Sequence, residues 1–224
     1  MRTLQEHIDL AVVIPTWNAA DSLAGCLEDL RDEKVVVADG GSTDGTVSVA
    51  RAGGAVVISA ARGRGPQLAA GAAAAGGRWL LFVHADSRLE PGWRDAILAF
   101  AGGPDRAGYF DLALDDPAPA ARRIERVVAW RSRALGLPYG DQGLLISRAL
   151  YEAVGGYAPI PLMEDVDLVR RIGRKRLAPI GARITTSARR YREGGYIRRP
   201  LRNLCCLSLY LAGVAPHRIA RLYG

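Results

Sequence analysis

The sequence predicts an α/β fold, in which a mainly parallel sheet with one antiparallel element is flanked by helices. Short aliphatic runs without polar alternation recur along the first 83 residues, and such runs are typical of strands buried on both faces of a parallel sheet. Helix-compatible segments separate these runs, as parallel crossovers require. A strongly basic C-terminal region predicts an additional helical extension.

The first part of the chain alternates strand and helix. The predicted strands are Leu10–Ile14, Lys34–Ala38, Ala55–Ile58 and Trp79–Val83, and the predicted helices are Asp21–Arg31, Asp44–Arg51 and Pro66–Ala75. Ligands of such sheets bind outside the carboxyl ends of the strands, where the loops gather. Polar residues follow all four strands, so we expect them to form one cleft at that edge.

The second part of the chain has a different order of elements. The predicted helices are Pro91–Ala101, Ala118–Leu135, Leu162–Lys175 and Pro200–Gly213, with another turn opening at Pro216; the predicted strands are Tyr109–Leu114, Gly143–Ser147 and Leu177–Thr186. The alternation of Tyr109–Leu114 favours an antiparallel strand. At 224 residues the chain suits a single domain, with a core over about 10–186 and a basic extension over about 187–224.

The charge is unevenly distributed. Residues 170–224 contain fourteen Arg or Lys and one acid, which gives +13. The whole chain carries +7, so residues 1–169 carry −6. Such a basic tail can meet nucleotide phosphates, anionic lipid or nucleic acid, and it can equally be a solvated face.

Neither export nor a membrane span is expected. The first nine residues, MRTLQEHID, are charged and precede only a short apolar run, unlike a signal peptide. The longest apolar stretch, Leu204–Ala215, is below the roughly 20 residues that a spanning helix needs, although it could lie on a membrane. Cys26, Cys205 and Cys206 lack the spacing of a zinc site, so we expect small buried residues in a reducing cytosol.

An acidic, glycine-rich loop follows the second predicted strand. Asp39 to Gly45 combines two carboxylates, two hydroxyls and three glycines. It could approach a nucleotide closely, because glycine removes bulk and carboxylates accept hydrogen bonds from a base or ribose. The same composition is equally typical of a turn followed by a helix cap.

Several residues could carry chemistry. Asp86, at the end of the fourth strand, suits Mn²⁺ or Mg²⁺, which need only one or two protein carboxylates when a diphosphate supplies other ligands. His84 could bind that metal or the nucleotide. Near a helix start, Glu164 or Asp165 could take the proton of an attacking hydroxyl. Taken singly, each of these residues is also typical of a cap, a turn or a helix-dipole partner.

Six short motifs stand in order along the chain. They are Pro15-Thr16-Trp17-Asn18, Asp39 to Thr46, His84-Ala85-Asp86, Gly140-Asp141-Gln142-Gly143, Gly155-Gly156-Tyr157 and Glu164-Asp165. Their order and approximate spacing resemble family 2 glycosyltransferases of the GT-A fold, over about Leu10 to Tyr223. The chain especially resembles the compact bacterial branch described as radical-SAM/selenodomain-associated.

This resemblance implies a metal-dependent, inverting hexosyltransferase that uses a nucleoside-diphosphate sugar, with a uridine donor favoured, and Mn²⁺ or Mg²⁺. It implies that Asp86 binds the metal, that Asp165 is the catalytic base and that Glu164 supports it. The residues it places along the nucleotide sugar are Pro15, Thr16, Asn18, Asp39, Gly41, Ser42, Asp44, Arg62, Gly65, Gln67, His84 and Ala85. Many relatives have aspartate where this chain has His84, so metal binding by two carboxylates does not carry over.

The remaining candidates concern the acceptor and the leaving group. Asp141 and Gln142 could hydrogen-bond to hydroxyl groups in an acceptor or sugar pocket, or they could form a polar turn. Arg189 and Arg190 lie where relatives carry a segment near the leaving diphosphate, although a solvated face explains them as well. The acceptor could be lipid-linked, with peripheral contact at the inner face of the cell membrane, or soluble in the cytoplasm. No specific nucleic acid is expected.

Two other classes of protein remain open. A nucleotide-dependent oxidoreductase is suggested by Gly63-Arg64-Gly65 after a strand, but Leu68 stands where the dinucleotide fingerprint requires a third glycine. A non-enzymatic module that binds polyanions or membranes through the basic tail predicts salt-sensitive binding without turnover. That second alternative does not explain the polar residues after four strands.

Overall fold

The computed structural model describes residues 8–223, and the strands in this range form one mixed sheet. They are β1 (Leu10–Thr16), β2 (Lys34–Asp39), β3 (Val56–Ser59), β4 (Trp79–Phe82), β5 (Ser87–Leu89), β6 (Ala107–Leu114), β7 (Leu144–Ser147) and β8 (Leu177–Thr186). Their order across the sheet is β3-β2-β1-β4-β7-β6-β8-β5. The predictions that concern residues 1–7 and 224 lie outside the described residues.

The sheet has a parallel part and a mixed part. β1 pairs in parallel with β2 and β4, and β2 pairs in parallel with β3, as predicted. The antiparallel character begins where β4 meets β7. The predicted antiparallel strand, observed as β6, is antiparallel to β7 but parallel to β8. Strand β5 was not predicted, because its three residues are too few to show a pattern.

Helices flank the sheet and extend beyond it. They are α1 (Ala20–Asp29), α2 (Thr46–Ala52), α3 (Arg64–Ala74), α4 (Trp93–Ala101), α5 (Pro119–Trp130), α6 (Arg148–Ala153), α7 (Glu164–Ile172), α8 (Arg189–Gly194), α9 (Arg198–Leu211) and α10 (Pro216–Tyr223). The helix predicted to reach Leu135 continues from α5 as a π-helical turn. Helix α7 is shorter than predicted, because Gly173 ends it with a φ of 82°.

Two apolar clusters cover the two faces of the sheet. Alternate residues of β1 point to opposite clusters, with Val12 and Ile14 in one and Ala11 and Val13 in the other. This explains why the strand reads as a continuous apolar run. Among residues 8–223, no helix is both long and apolar enough to pass through a bilayer.

The C-terminal extension packs on the core. Leu162, just before α7, lies in an apolar cluster with Cys206 of α9 and Ile219 of α10. The hydroxyl of Tyr210 donates to Asp167 Oδ1 at 3.2 Å, so α9 is also tied to α7. The expectation that all three cysteines are buried is wrong for Cys205, which lies on the exposed side of α9.

Candidate functional site

The ends of the parallel strands open into a cleft of about 670 Å³, here called the strand-end cleft. Residues after β1, β3 and β4 line it together, as expected, whereas the residues after β2, Asp39 to Gly45, were also expected there and do not line it. The predicted site residues in its lining are Pro15, Thr16, Asn18, Arg62, Gln67, His84, Ala85, Asp86, Arg189 and Arg190. The cleft is therefore built from segments far apart in the chain.

A smaller cavity of about 130 Å³, here called the inner cavity, adjoins this cleft. The residues that line both are Arg64, His84, Asp86, Leu162, Ser187 and Arg190. The inner cavity also contains Asp141 and Asp165, so the structure brings the predicted base, metal ligand and acceptor-pocket aspartate together. The predicted site residues outside both linings are Asp39, Gly41, Ser42, Asp44, Gly65, Gln142 and Glu164.

Asp39 lies behind the wall of the strand-end cleft with its carboxylate fully engaged. Oδ1 accepts from the hydroxyls of Thr16 and Ser42, and Oδ2 accepts from the amides of Gly41 and Ser42. Burial alone would raise the pKa of Asp39, but these hydrogen bonds outweigh it and hold the pKa below its usual value. A carboxylate has about four lone-pair sites. The four hydrogen bonds that the Asp39 carboxylate accepts therefore use all of these sites, and they fix the shape of the loop after β2.

The loop after β2 is fastened to the loop after β1. The backbone amide of Asn18 donates to Ser42 Oγ, and the side-chain oxygen Oδ1 of Asn18 accepts from the backbone amide of Thr43. Asp44 accepts from the amides of Ala20 and Thr46, so it fixes the starts of two helices. Asn18 has a φ of 48°, a conformation that few residues other than glycine adopt. These contacts position Asn18 at the edge of the cleft.

Gln67 and Gly65 fix the loop after β3. The buried Gln67 amide donates to the carbonyls of Thr16 and Ala38, which joins α3 to the ends of β1 and β2. A side chain at Gly65 would meet the carbonyl oxygens of Ala158 and Ile160 at 2.5 Å. Gly65 is therefore required for close packing, which differs from the predicted donor contact.

A cationic and aromatic pair forms one side of the strand-end cleft. The Arg62 guanidinium carbon lies 3.6 Å from the centre of the Trp17 ring. Both side chains line the cleft, and Trp17 is 46% exposed. Such a pair offers a flat surface and a positive charge to a ligand with a base and phosphates.

Asp165 lies in the first turn of α7, directed into the inner cavity. Its Oδ2 accepts from the Gly140 amide at 2.9 Å, and its buried Oδ1 has no hydrogen-bond partner among residues 8–223. An added Cβ at Gly140 would lie 2.7 Å from Asp165 Oδ2 and 2.8 Å from His84 Nε2. The absence of a side chain at Gly140 thus lets these two groups approach the same turn.

Glu164 and His84 are both perturbed by burial. Burial and the neighbouring Asp165 raise the pKa of Glu164 to about 8, while Arg64, with Nε 2.9 Å from Glu164 Oε1, acts in the opposite direction. Burial and Arg64 lower the pKa of His84, against the pull of Asp165, Asp86 and Asp141. At neutral pH, His84 is therefore a neutral imidazole that can bind a ligand through a lone pair.

Three residues that line the inner cavity each have a buried acceptor oxygen with no donor among the described residues. These oxygens are Oδ1 of Asp141, Asp165 and Asn203. Buried acceptors are nearly always paired, and an orphaned group calls for a specific explanation. A ligand rich in hydroxyls would supply the missing donors.

Gln142 is close in sequence to Asp141 but serves the framework. It is buried, and its Nε2 donates to the Phe110 carbonyl while its Oε1 accepts from Ser132 Oγ at 2.8 Å. This side chain therefore holds the turn before β7 against β6. It does not reach either cavity, in contrast to the predicted contact with an acceptor or sugar.

Asp86 is suited to bind a divalent cation, because its carboxylate has no partner among the described residues. Its half-buried carboxylate lines both cavities and makes no hydrogen bond or ion pair with any residue in the described range. Mn²⁺ and Mg²⁺ prefer such oxygen ligands. Within residues 8–223 there is no group of three or more His, Cys, Asp or Glu that could hold a metal. A cation at Asp86 would therefore need oxygen ligands from a substrate.

The arginines predicted to meet a diphosphate both line the strand-end cleft, from the first turn of α8. Arg189 Nε lies 2.8 Å from Glu193 Oε1, in an exposed ion pair that is easily exchanged. Arg190 makes no ion pair with residues 8–223 and lines both cavities. Arg190 is thus the better placed of the two for an anionic ligand.

Sequence reasoning missed several lining residues. Trp17 lies within the motif Pro15-Thr16-Trp17-Asn18, and Arg64 lies within Gly63-Arg64-Gly65. The candidate residues on either side of them therefore already indicated that these two positions are near the site. Arg199 and Asn203 reach the inner cavity from α9, far along the chain. Nothing in the local sequence of α9 shows that one of its faces meets Asp165.

Solved glycosyltransferase structures share this fold. TarS from S. aureus has a TM-score of 0.65 at 16% identity, over 81% of this chain and 61% of that chain. The mannosyltransferase PcManGT from Pyrobaculum calidifontis, in complex with GDP-Man and Mn²⁺, has a TM-score of 0.61 at 19% identity, over 80% of this chain and 57% of that one. At such identities the likeness shows the fold alone, and the chain spans less than two thirds of either structure.

A third structure, glucosyl-3-phosphoglycerate synthase from Mycobacterium tuberculosis in complex with Mn²⁺, UDP and glucosyl-3-phosphoglycerate, has a TM-score of 0.56 at 19% identity. It matches over 80% of this chain and 70% of that one. In sequence, the chain is 43% identical over 60 residues to glycosyltransferase AglJ from Haloferax volcanii. That match covers 25% of this chain and 20% of AglJ, so it concerns a short segment only.

Residues 11–123 match the sequence profile of glycosyl transferase family 2. The matched segment includes the residues after β1 to β4, with Asp86, and excludes Asp141 and Asp165. It covers half of the chain, and the fold of the mixed sheet is that of the glycosyltransferase structures above. The chain belongs to glycosyl transferase family 2.

Proposed function

We propose that this protein is an inverting glycosyltransferase that moves a hexose from a nucleoside-diphosphate sugar, of the uridine type, to a hydroxyl acceptor. One observation carries the proposal. The unpaired acceptors belong to Asp141, Asp165 and Asn203, three residues that line the cavity adjoining the strand-end cleft, and the free carboxylate of Asp86 lines both cavities. A donor in the cleft and an acceptor in the cavity would meet beside Asp165.

The donor is assigned to the strand-end cleft. The pair of Trp17 and Arg62 would pack against the nucleoside, while Arg190 and Arg189 would approach the diphosphate. The complexes of structurally similar proteins with UDP and with GDP-Man support a nucleotide-sugar donor of this general class. Because Asp39 is saturated by its own loop, it would act by shaping the wall that the nucleoside meets.

Asp86 would hold Mn²⁺ or Mg²⁺, with the diphosphate supplying other oxygen ligands, as the Mn²⁺ complexes of the similar structures suggest. A cation bound there would stabilise negative charge on the departing diphosphate. His84, as a neutral imidazole, would add a lone pair near the same place. Both residues would thus serve the leaving group and leave proton transfer to Asp165.

The transfer itself is a single displacement. The acceptor oxygen forms a bond to the anomeric carbon, and its proton passes to Asp165 Oδ1. The bond from that carbon to the diphosphate oxygen breaks, and the nucleoside diphosphate leaves with the electron pair. Attack from the face opposite the leaving group inverts the anomeric centre.

Glu164 would support the base without touching the substrate. Its raised pKa keeps it largely protonated at neutral pH, so Glu164 adds little negative charge next to Asp165. The ion-pair distance to Arg64 links α7 to the start of α3, next to the strand-end cleft. Glu164 is therefore proposed as a positioning residue, and Asp165 as the catalytic residue.

We place this activity in the cytoplasm, at the inner face of the cell membrane. The three cysteines of the chain are free thiols, which is compatible with a reducing compartment. The basic extension, with α9 beside the inner cavity, supports an acceptor presented by a membrane.

A donor panel tests the proposal. Binding of UDP-, GDP- and TDP-sugars would be measured by isothermal titration calorimetry, with and without Mn²⁺, on the wild-type chain and on Asp86→Asn. We expect at least one donor whose affinity rises with Mn²⁺, and Asp86→Asn should abolish the rise while keeping the metal-free affinity. No metal-stimulated binding of any nucleotide sugar would contradict the proposal.

A further inference from the structure

Helix α9 presents an apolar stripe to solvent. Ile197, just before α9, and Leu201, Leu204 and Leu211 are 74%, 59%, 58% and 49% exposed, and their spacings of four, three and seven residues place them on one side of the helix. Single exposed leucines are ordinary on protein surfaces. A row along a helix, interrupted here only by the exposed Ser208, is unusual, and such surfaces mark interaction sites.

The opposite side of α9 belongs to the interior and to the inner cavity. Cys206 and Leu207 are buried, and Cys206 packs with Leu162 and Ile219. Arg199 and Asn203 line the inner cavity next to Asp165. A partner on the exposed stripe would therefore lie one helix diameter, roughly 10 Å, from the proposed acceptor site.

The charges around the stripe are of one sign. Arg198 and Arg202 flank it on α9, and Arg218 and Arg221 lie exposed on the neighbouring α10. Neither helix contains an acidic residue. An apolar row bordered by arginines fits a surface that is apolar inside and anionic outside, which describes an anionic lipid bilayer.

A second copy of the chain fits the stripe less well. The row spans a 14-residue helix, which is only two heptads, whereas coiled-coil seams run over three or four. In a two-fold pairing the same patch appears on both copies, so each copy would bring arginines and no acids to the seam. The charge pattern thus favours a bilayer over a dimer.

We propose that α9 docks this protein on an anionic membrane surface through Ile197, Leu201, Leu204 and Leu211, and that the acceptor is a membrane amphiphile with a hydroxylated headgroup. The docking follows from the exposed stripe and its charges alone. The identity of the acceptor rests on the proposed function, because it assumes that the inner cavity receives a hydroxyl. Docked in this way, α9 separates the bilayer from the inner cavity, and Asn203 and Arg199 lie about one helix diameter, roughly 10 Å, from the headgroup layer.

Vesicle co-sedimentation tests the docking without any sugar donor. The full chain is mixed with vesicles of phosphatidylglycerol and phosphatidylcholine, or of phosphatidylcholine alone. We expect salt-sensitive binding to the anionic vesicles only. The double change Leu201→Ser and Leu204→Ser should weaken this binding by about tenfold or more, and Arg198→Gln with Arg218→Gln should weaken it by roughly tenfold.

Matched controls separate docking from folding. Val56→Ser removes an equally exposed apolar side chain, 61% exposed on β3 at the far edge of the sheet, and Arg51→Gln removes an exposed arginine from α2. Both should bind vesicles as the wild type does, and all variants should keep the wild-type circular dichroism spectrum. Equal vesicle binding by the Leu201/Leu204 variant and the wild type, or no binding by the wild type, would overturn the docking.

If a second copy of the chain, and not a bilayer, covered the stripe, a different result would follow. A concentration-dependent dimer in sedimentation equilibrium, lost in the Leu201/Leu204 variant, would assign the stripe to a second copy and overturn the proposal. Donor titrations on the same variant distinguish the two hypotheses. If the wild-type chain binds a donor but no vesicle, the proposed transfer reaction stands and the membrane docking does not; if the variant binds the donor as the wild type does and only its vesicle binding falls, both stand.

Discussion

The backbone amide of Gly140 donates a hydrogen bond to Asp165 Oδ2 at 2.9 Å. This contact joins the turn before β7 to the first turn of α7. It holds one oxygen of the carboxylate, while the other, Oδ1, is buried without a hydrogen-bond partner among residues 8–223, in a residue that lines the inner cavity. The conformation of one backbone turn thus decides where the proposed base points.

Replacing Gly140 with alanine should disturb that base without unfolding the chain. The new Cβ would lie 2.7 Å from Asp165 Oδ2 and 2.8 Å from His84 Nε2, so both side chains must shift. Misplacing a catalytic group by about 1 Å can cost on the order of a hundredfold in rate. We expect kcat to fall by about tenfold to a hundredfold in steady-state assays, with a smaller rise in the donor dissociation constant because His84 also lines the strand-end cleft. Wild-type kcat in Gly140→Ala would show that the turn does not position Asp165.

Asp165→Asn tests the base itself. The amide has nearly the same shape and can still accept the Gly140 hydrogen bond, but it cannot take a proton at neutral pH. We expect transfer to fall by about a hundredfold or more, with donor binding retained. Glu152→Gln is the matched control, because it changes a carboxylate to an amide on the exposed surface of α6. Transfer at the wild-type rate by Asp165→Asn would remove this residue from the role.

Glu164 should make stability depend on pH in an identifiable direction. Its pKa rises from 4.5 to about 8 on folding, so the folded chain holds a proton that the unfolded chain releases. The free energy of unfolding must then fall as pH rises through this window, by at most about 1.4 kcal/mol per pH unit. Glu164→Gln cannot titrate and should lack this part of the slope.

The measurement for Glu164 is urea unfolding of both chains from about pH 5 to pH 8. The wild type should lose stability relative to Glu164→Gln as the pH increases. Groups remote from Glu164 titrate equally in both chains and cancel, so the difference between the two curves reports this carboxyl together with its charge interactions with Asp165 and Arg64. Parallel curves would mean that Glu164 is charged in the folded protein.

Gly65→Ala should destabilise the fold. The added methyl would lie 2.5 Å from the backbone carbonyl oxygens of Ala158 and Ile160. Backbone atoms cannot move aside as easily as the end of a flexible side chain can. We expect a loss of about 1–3 kcal/mol in chemical denaturation. Gly76→Ala provides the control, since its Cβ would meet nothing within 4 Å. Equal stability of the two variants would contradict the close packing of α3.

Much of the fold could be predicted from the sequence, for physical reasons. Strands such as β1 are buried on both faces, so their apolar runs stand out, and the polar residues that follow them must meet at one edge of a parallel sheet. The pairing of β6 could not be predicted in full, because a strand between an antiparallel and a parallel neighbour has no distinctive pattern.

The site was predictable at the level of segments and less so at the level of atoms. Asp39 and Gln142 have the right chemistry for ligands, yet their own loops occupy their polar atoms, which sequence cannot show. Conversely, Asn203 reaches the cavity only because the chain folds back along α7. Such a contact depends on tertiary packing and leaves no local signature.

The junction between β4 and β7 also has a consequence for the order in which the molecule assembles. Strands β1 to β4 come from one continuous stretch of chain, whereas pairing Phe82 with Leu144 closes a long loop. Because closing a longer loop costs more chain entropy, the nucleotide-facing half can become structured before the half that carries Asp165. Catalytic competence would then be the last property acquired during folding and the first lost on partial unfolding.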